Sequence, residues 1–160
     1  LNLYVLSEGT DKKLLKASQT LKENTKVWLN KNKMIHDTVD ILDGKIVNFG
    51  IEFSAITDPD VNRFEVLNKA IAVLKEKYSQ PTFMGEPVYI TDIYNILNCS
   101  VDGIIDVKKV DIIIKEGGPY SSTRFSVERA MSSDGRYLEV PLNVSMELKF
   151  PNSAIKGTLE

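Results

Sequence analysis

Few side chains in this sequence combine the type and spacing that catalysis requires. His36 is the sole histidine, and Asp37 beside it suggests a base with an orienting acid. No serine or cysteine stands in a recognisable nucleophile motif, so we interpret His36 as an incidental loop residue. Cys99 is the sole cysteine, which excludes an internal disulfide and a CxxC metal site. It falls at a predicted helix end without a cationic neighbour to stabilise a thiolate, which favours half-buried packing.

A short acidic motif imitates the start of a calcium-binding loop. Asp58, Asp60 and Asn62 have the alternate spacing of the first three ligands of such a loop. The sixth position is Arg63, where the turn needs glycine, and the twelfth is Lys69, where a bidentate glutamate should be. We therefore interpret the motif as a helix cap.

Two further clusters have weaker claims to chemistry. Asp37, Asp40 and Asp43 are spaced by three and would share a helix face, but the β-branched residues between them indicate a strand and a turn. The segment from Gly117-Gly118 to Ser122 has too few glycines for a phosphate loop and no following Lys-Ser/Thr, so it predicts a linker. The sequence predicts no catalytic residues, no cofactor and no metal, and hence a protein that is not an enzyme.

Charge is distributed unevenly along the chain. Residues 1–35 hold seven lysines against three acids (+4), whereas residues 36–160 hold thirteen basic against nineteen acidic residues (−6). The basic residues are sixteen lysines and four arginines, which argues against a dedicated nucleic-acid surface. The lysine-rich first helix is interpreted as a solvated face, with docking onto an acidic partner as the alternative. No stretch approaches the ~20 apolar residues of a membrane span.

The first half of the chain predicts a strand, a helix and a hairpin. Residues 1–6 alternate and end at a turn, and residues 11–32 carry apolar side chains at helical spacing. Residues 38–42 and 45–57 read as strands joined by a two-residue Asp43-Gly44 turn of type I′. The alternation in the second strand predicts one buried face, made up of Val47, Phe49, Ile51, Phe53 and Ala55.

A second helix, a short helix and a long strand follow. Asp58-Pro59 predicts a helix start, and an apolar stripe continues to residue 78, formed by Phe64, Leu67, Ile71, Leu74 and Tyr78. Thr91 is the predicted cap of the short helix, and Gly103 turns the chain into a strand over residues 104–114. This order predicts an α+β fold with a split βαβ (ferredoxin-like) core and an extra short helix.

The composition changes after residue 116, where we place a boundary. Residues 1–116 are predicted to form the ferredoxin-like core, and residues 117–160 an additional C-terminal β region. The longest strict alternation of the chain lies in this region, and its apolar members are Leu138, Val140, Leu142, Val144, Met146, Leu148 and Phe150. Such a face must be covered, by the core or by a neighbouring subunit, so these residues are a candidate subunit interface. Pro141 predicts an edge position or an interruption by a bulge.

One stretch carries a resemblance to a known family. The segment from Gly85 to Tyr94, GEPVYITDIY, followed by Val101 to Val107, VDGIIDV, resembles the late part of baseplate-J-like proteins, the baseplate wedge proteins of contractile-tailed, T-even-like bacteriophages. The resemblance extends upstream through residues 21–30, 40–43 and 45–53. The resemblance consists of the residue pattern and the spacing from helix to strand, and it covers most of residues 1–115. The family has no catalytic signature that could be matched.

The resemblance implies a structural subunit of a phage tail baseplate wedge, assembled around the tail hub. The implied partners are other copies of the chain and other wedge subunits, and the implied location is the virion, after synthesis in the host cytoplasm. The start at Leu1, without an initiator methionine, leads us to expect a C-terminal fragment of a longer protein. A piece of a bacterial contractile injection machine is a near alternative. From another class, the alternative is a small-ligand or nucleic-acid binding module on a ferredoxin-like sheet.

Overall fold

A computed structural model describes residues 1–34, 36 and 38–160. These residues form an α+β fold of nine strands and five helices. The strands are β1 (Asn2–Glu8), β2 (Leu14–Lys16), β3 (Asp40–Asp43), β4 (Lys45–Thr57), β5 (Val88–Tyr89), β6 (Ile104–Lys115), β7 (Tyr137–Leu138), β8 (Val144–Glu147) and β9 (Ile155–Leu159). The helices are α1 (Gln19–Asn32), α2 (Arg63–Lys77), α3 (Ile90–Ser100), α4 (Val127–Ala130) and α5 (Pro151–Ala154).

The central sheet is built around β4. Strand β6 pairs antiparallel with one edge of β4, and β8 and β9 pair parallel with the other edge, at Lys45–Asn48 and Ile51–Ala55 respectively. The predicted inner face of β4 is confirmed, because the five side chains from Val47 to Ala55 on that face are all buried. Helices α2 and α3 share one hydrophobic core with this face, and Phe49 packs edge-on against Tyr78.

Helix α2 begins later than predicted, and one residue of its predicted apolar stripe faces solvent. Its N-cap is Asn62, whose side chain accepts a hydrogen bond from the Phe64 backbone, whereas the Asp58 side chain closes a turn by accepting from the Asp60 N–H. Its buried residues are Val66, Ala70 and Leu74. Phe64, predicted to belong to the apolar stripe, is 78% exposed. The rest of the predicted stripe is confirmed, because Leu74 is buried and Leu67, Ile71 and Tyr78 pack partly buried against the core.

Residues 11–32 are not one helix. The turn from Gly9 to Lys13 is closed by hydrogen bonds between their backbones, and Lys12 adopts a positive φ of 58°. The chain then returns as β2, antiparallel to β1, and α1 starts only after Ser18, whose side chain caps the Leu21 N–H. A turn favourable to strand pairing thus prevails over the helical spacing of residues 14 and 17.

The predicted Asp43-Gly44 hairpin is also wrong. Strand β3 pairs parallel with β1 instead of with β4, so the chain passes between two sheets at Gly44. A Cβ at Gly44 would lie 2.8 Å from the Leu6 side chain and 3.1 Å from the Met84 sulfur. Gly44 is therefore needed for close packing, and it is not among the glycines with a positive φ.

The split βαβ detail is not confirmed. Strand β1 lies in a sheet with β2 and β3, apart from β4, and β4 has parallel neighbours. The change in composition at residue 116 is not a division of the core, because residues 138–155 contribute to the same cluster as β4, α2 and α3. Strand β9 lies in a segment for which we had predicted no element.

Candidate functional site: exposed interaction surfaces

The N-terminal layer, defined as residues 1–43, has almost no core of its own. It consists of the sheet β2-β1-β3 and helix α1. Among its described residues only Ala17 and Val39 are buried, and α1 buries none of its side chains. A helix normally owes most of its stability in a protein to packing of an apolar face, so α1 lacks its usual support.

Large apolar side chains of the layer face solvent instead. Those exposed are Leu1, Leu3, Leu15, Leu21, Val27, Trp28, Met34 and Leu42. Leu21 and Trp28 are seven residues apart and lie on the same side of α1, with Val27 adjacent. Single exposed apolar residues are ordinary, but this concentration in one small layer indicates a surface meant to be covered.

Polar contacts attach the layer to the rest of the molecule. The buried Glu147 carboxylate accepts hydrogen bonds from the Leu14 backbone N–H at 2.8 Å and from the Asn48 side chain at 2.9 Å. The Asn48 carbonyl oxygen in turn accepts from the Ser121 N–H at 2.7 Å. One connected network therefore joins β2, the central sheet and the loop after β6. Since all its members are satisfied, it fixes where β2 meets the body.

A groove separates the layer from the body beside this network. It has a volume of about 750 Å³ and is lined by Leu6, Leu14, Tyr78 and Met84 among others. Burial, helped by the negative charge of Asp92, raises the pKa of Tyr78 to about 12. The phenol thus remains neutral over the whole physiological range, and it packs as an apolar group at the base of the groove.

The candidate interface strand over residues 138–150 is broken into two strands. Residues 139–143 form a turn at Pro141, as the proline predicted, and β8 resumes at Val144. Five of the seven apolar residues are buried in the protein's own core, namely Leu138, Val140, Val144, Met146 and Leu148. Phe150 is partly covered by Tyr120 and by the Lys13 ammonium, 4.6 Å from its ring centre. Most of the predicted face is therefore covered within this chain.

Leu142 is the member of that face that remains in solvent, with 84% of its surface exposed. It borders a cleft of about 1040 Å³ whose walls include Arg124, Arg129 and Phe125. A Cβ at Gly85 would lie 3.0 Å from the Leu142 side chain, and Gly85 has a φ of 75°. Leu142 thus packs against position 85, where both the positive φ and the close contact favour glycine.

A third surface lies at the end of β4 remote from the N-terminal layer. The Asp58 N–H donates to the Gly103 carbonyl, which brings residues 58–64 and 102–106 together. We call this surface the acidic end, and define it as Asp58, Asp60, Asp102 and Asp106 with the exposed apolar residues Val61, Phe64 and Ile105. Ile105 faces outward because a bulge in the β4–β6 pairing leaves it without a partner on β4.

The described residues among those considered for chemistry are not assembled into a site. His36 is exposed in a turn, and Asp37 lies outside the described residues. Cys99 is exposed on α3, contrary to the predicted half-buried packing. The loop at Gly117-Gly118 is a turn with positive φ at both glycines, and Pro119 within it accepts a hydrogen bond from the Lys149 ammonium. Asp40 and Asp43 lie in a strand, where alternate residues point to opposite faces.

Within residues 1–34, 36 and 38–160, no three histidine, cysteine or carboxylate side chains are grouped so that they could hold a metal ion. In the same part of the chain, no helix is both long and apolar enough to cross a bilayer.

No protein-family model matches the sequence, and no curated protein matches it.

Sequence reasoning gave docking of the lysine-rich first helix onto an acidic partner only as an alternative, and it missed the acidic end. The acidic end joins two segments some forty positions apart, and only the β4–β6 register brings them together. The exposed face of α1 was hidden by the longer helix predicted over residues 11–32. The signal available was the uneven charge, with a basic N-terminal region and an acidic remainder.

Proposed function

We propose that this chain is a non-enzymatic structural subunit that assembles with other proteins through its N-terminal layer. The observation that carries the proposal is the missing core of that layer: two buried residues, and eight large apolar side chains in solvent. Leaving such a surface in water is unfavourable by roughly 25 cal/mol per Å² of apolar area that a partner would cover. Binding of a partner supplies the burial that α1 and β1–β3 lack.

The assembly we propose is the baseplate wedge of a contractile tail. The resemblance of residues 85–107 to baseplate-J-like proteins supports this identity. Under this proposal the partners are further copies of the chain and other wedge subunits. The subunit then resides in the virion baseplate, or in the related injection machine that the sequence does not separate from it.

The experiment is immunogold electron microscopy of purified contractile particles. Antibodies against residues 1–160 should place gold at the end of the tail distal to the head, and denatured particles should contain the chain. Antibodies against a head protein from the same particles serve as the control for position. Antigen that remains in the soluble fraction, with no label on intact particles, would contradict the baseplate assignment.

A second candidate is a small-ligand binding module on a ferredoxin-like sheet. The cleft of about 1040 Å³ beside Arg124 and Arg129 favours it, because clefts of 300–1,000 Å³ are typical of ligand sites. The two arginines suit a carboxylate or phosphate ligand. Calorimetric titration with a set of dicarboxylates and nucleotides distinguishes the candidates: binding lost in Arg129→Gln but kept in Arg136→Gln supports the module.

A further inference from the structure

The basic helix α1 and the acidic end lie near opposite ends of β4. The N-terminal layer joins β4 at Lys45, and the acidic end begins just after Thr57. A strand of this length spans about 40 Å, at 3.3 Å for each of its 13 residues. The two surfaces therefore cannot cover one another within one molecule, and they remain available to two different neighbours.

The two surfaces carry opposite charge. From Ser18 to Met34 the chain holds four lysines and one glutamate. Among the described residues, Lys26, Lys31 and Lys33 form no ion pair, whereas Lys22 is paired with Asp43. At the acidic end none of the four aspartates forms an ion pair with a described residue, and Arg63 is the unpaired cation nearby. Two ion pairs nearby, Lys69–Glu65 and Lys108–Glu160, each carry no net charge.

Both surfaces also present large apolar groups among their charges. Trp28 is 64% exposed on α1, and Phe64 is 78% exposed at the acidic end. Val27 on the helix and Ile105 on the strand bulge are exposed beside them. Exposed aromatic groups surrounded by charge of one sign are typical of interface anchors, and each surface here has the charge that complements the other.

We infer that α1 of one copy docks onto the acidic end of a second copy, in a head-to-tail contact. The inference rests on the proposed function, since it names the partner of the same uncovered layer. Trp28 and Val27 pack against Phe64 and Ile105 of the next copy, and Lys31, which lies between them around the helix, faces its aspartates. Because the two patches differ, the contact is heterologous, and it generates a ring if the rotation closes and a filament if it does not.

The test is sedimentation velocity of the purified chain over a concentration series, with paired charge reversals. One variant carries Lys31→Glu, and the other carries Asp60→Lys and Asp102→Lys. None of these three side chains makes a described ion pair, so neither variant breaks an internal contact of that kind. Glu139→Lys, an exposed reversal outside both surfaces, is the matched control. Circular dichroism checks that each variant retains its helices.

The wild-type chain and the control should self-associate, more weakly as salt rises from 0.05 to about 0.5 M because the charges are screened. Each reversal variant alone should bind itself at least about tenfold more weakly, and an equimolar mixture of the two should regain association. Equal self-association of the Asp60/Asp102 variant and the wild type would overturn the head-to-tail contact while leaving assembly through the layer intact. A wild-type chain that stays monomeric would also overturn it, and gold labelling of particles would still decide the proposed function separately.

Discussion

The N-terminal layer and the β4-centred body solve the same packing problem in opposite ways. Strand β4 has neighbours on both edges and helices over one face, and its five inward side chains are buried. Helix α1 has similar length to α2, yet it buries no side chain whereas α2 buries three. The body therefore has its core within the described residues, whereas the layer buries almost no apolar side chains of its own.

The two regions also differ in the contacts that hold them in place. The body is joined by a continuous apolar cluster from β4 to β9. The layer meets the body through the Glu147 network and the Gly44 crossing. Regions with few buried apolar contacts open locally at low free energy, so the layer should be the less stable part of the monomer.

The largest expected effect is loss of a β4 core side chain. Phe49→Ala should lower the free energy of unfolding by about 3–5 kcal/mol, because it removes a buried ring that packs edge-on against Tyr78. Phe64→Ala is the matched control, since the same side chain there is 78% exposed and should cost under about 1 kcal/mol. Urea denaturation measures both. Equal losses would show that α2 is rotated relative to the structure.

Removing the buried carboxylate should have a smaller effect. Glu147→Ala leaves the Leu14 N–H and an Asn48 N–H without their acceptor, at a cost of about 1–3 kcal/mol. The exposed substitution Glu139→Ala should be close to neutral. Amide exchange should speed up most in β2, since that strand loses its contact with β8. Faster exchange in α3 alone would contradict the assigned network.

The pH dependence of stability follows from Tyr78. Its folded pKa of about 12 lies above the ordinary value of 10, so the neutral phenol is favoured by folding. The contribution is fully present below pH 10 and is lost as the pH rises to 12, by up to about 1.4 kcal/mol per pH unit. Tyr78→Phe should remove this loss relative to wild type. Parallel curves for the two proteins between pH 10 and 12 would contradict the burial.

The smallest effect on stability should come from α1. Trp28→Ala should change the free energy of unfolding by less than about 0.5 kcal/mol, because the side chain is 64% exposed in the monomer. Self-association should weaken nevertheless, because the ring is the largest apolar group on the helix face. A loss of several kcal/mol in dilute protein would mean that Trp28 packs within its own chain.

The α+β class and most of the body could be predicted from the sequence. The alternation of β4 and the Gly103 turn are local signals, and both predictions are confirmed. The pairing partner of β3 could not be predicted, because Asp43-Gly44 is compatible with a hairpin turn and also with a crossing between sheets. The close packing of Gly44 against Leu6, which favours the crossing, is visible only in the structure. Strand β9 was not predicted although Ile155, Gly157 and Leu159 alternate with Lys156 and Thr158, because five residues are too short a run to identify a strand by pattern alone.

For the candidate surfaces, too, the local pattern could be predicted and the partner element could not. The run from Leu138 to Phe150 was predicted to be a face needing cover, and the structure places most of that cover within the chain. The period of a sequence shows that a face is buried, but it does not show by which element. The exposed face of α1 was missed for the reverse reason, since its apolar spacing is that of a buried helix.

Hydrogen exchange of the α1 amides, measured at low and high protein concentration, tests the central claim most directly. In dilute monomer the α1 amides should exchange orders of magnitude faster than those of β4, because α1 has no buried side chain. At concentrations where the chain associates, α1 should become protected while β4 changes little. Protection of α1 equal to that of β4 in the monomer, with no dependence on concentration, would contradict the account of an incomplete layer that a partner covers.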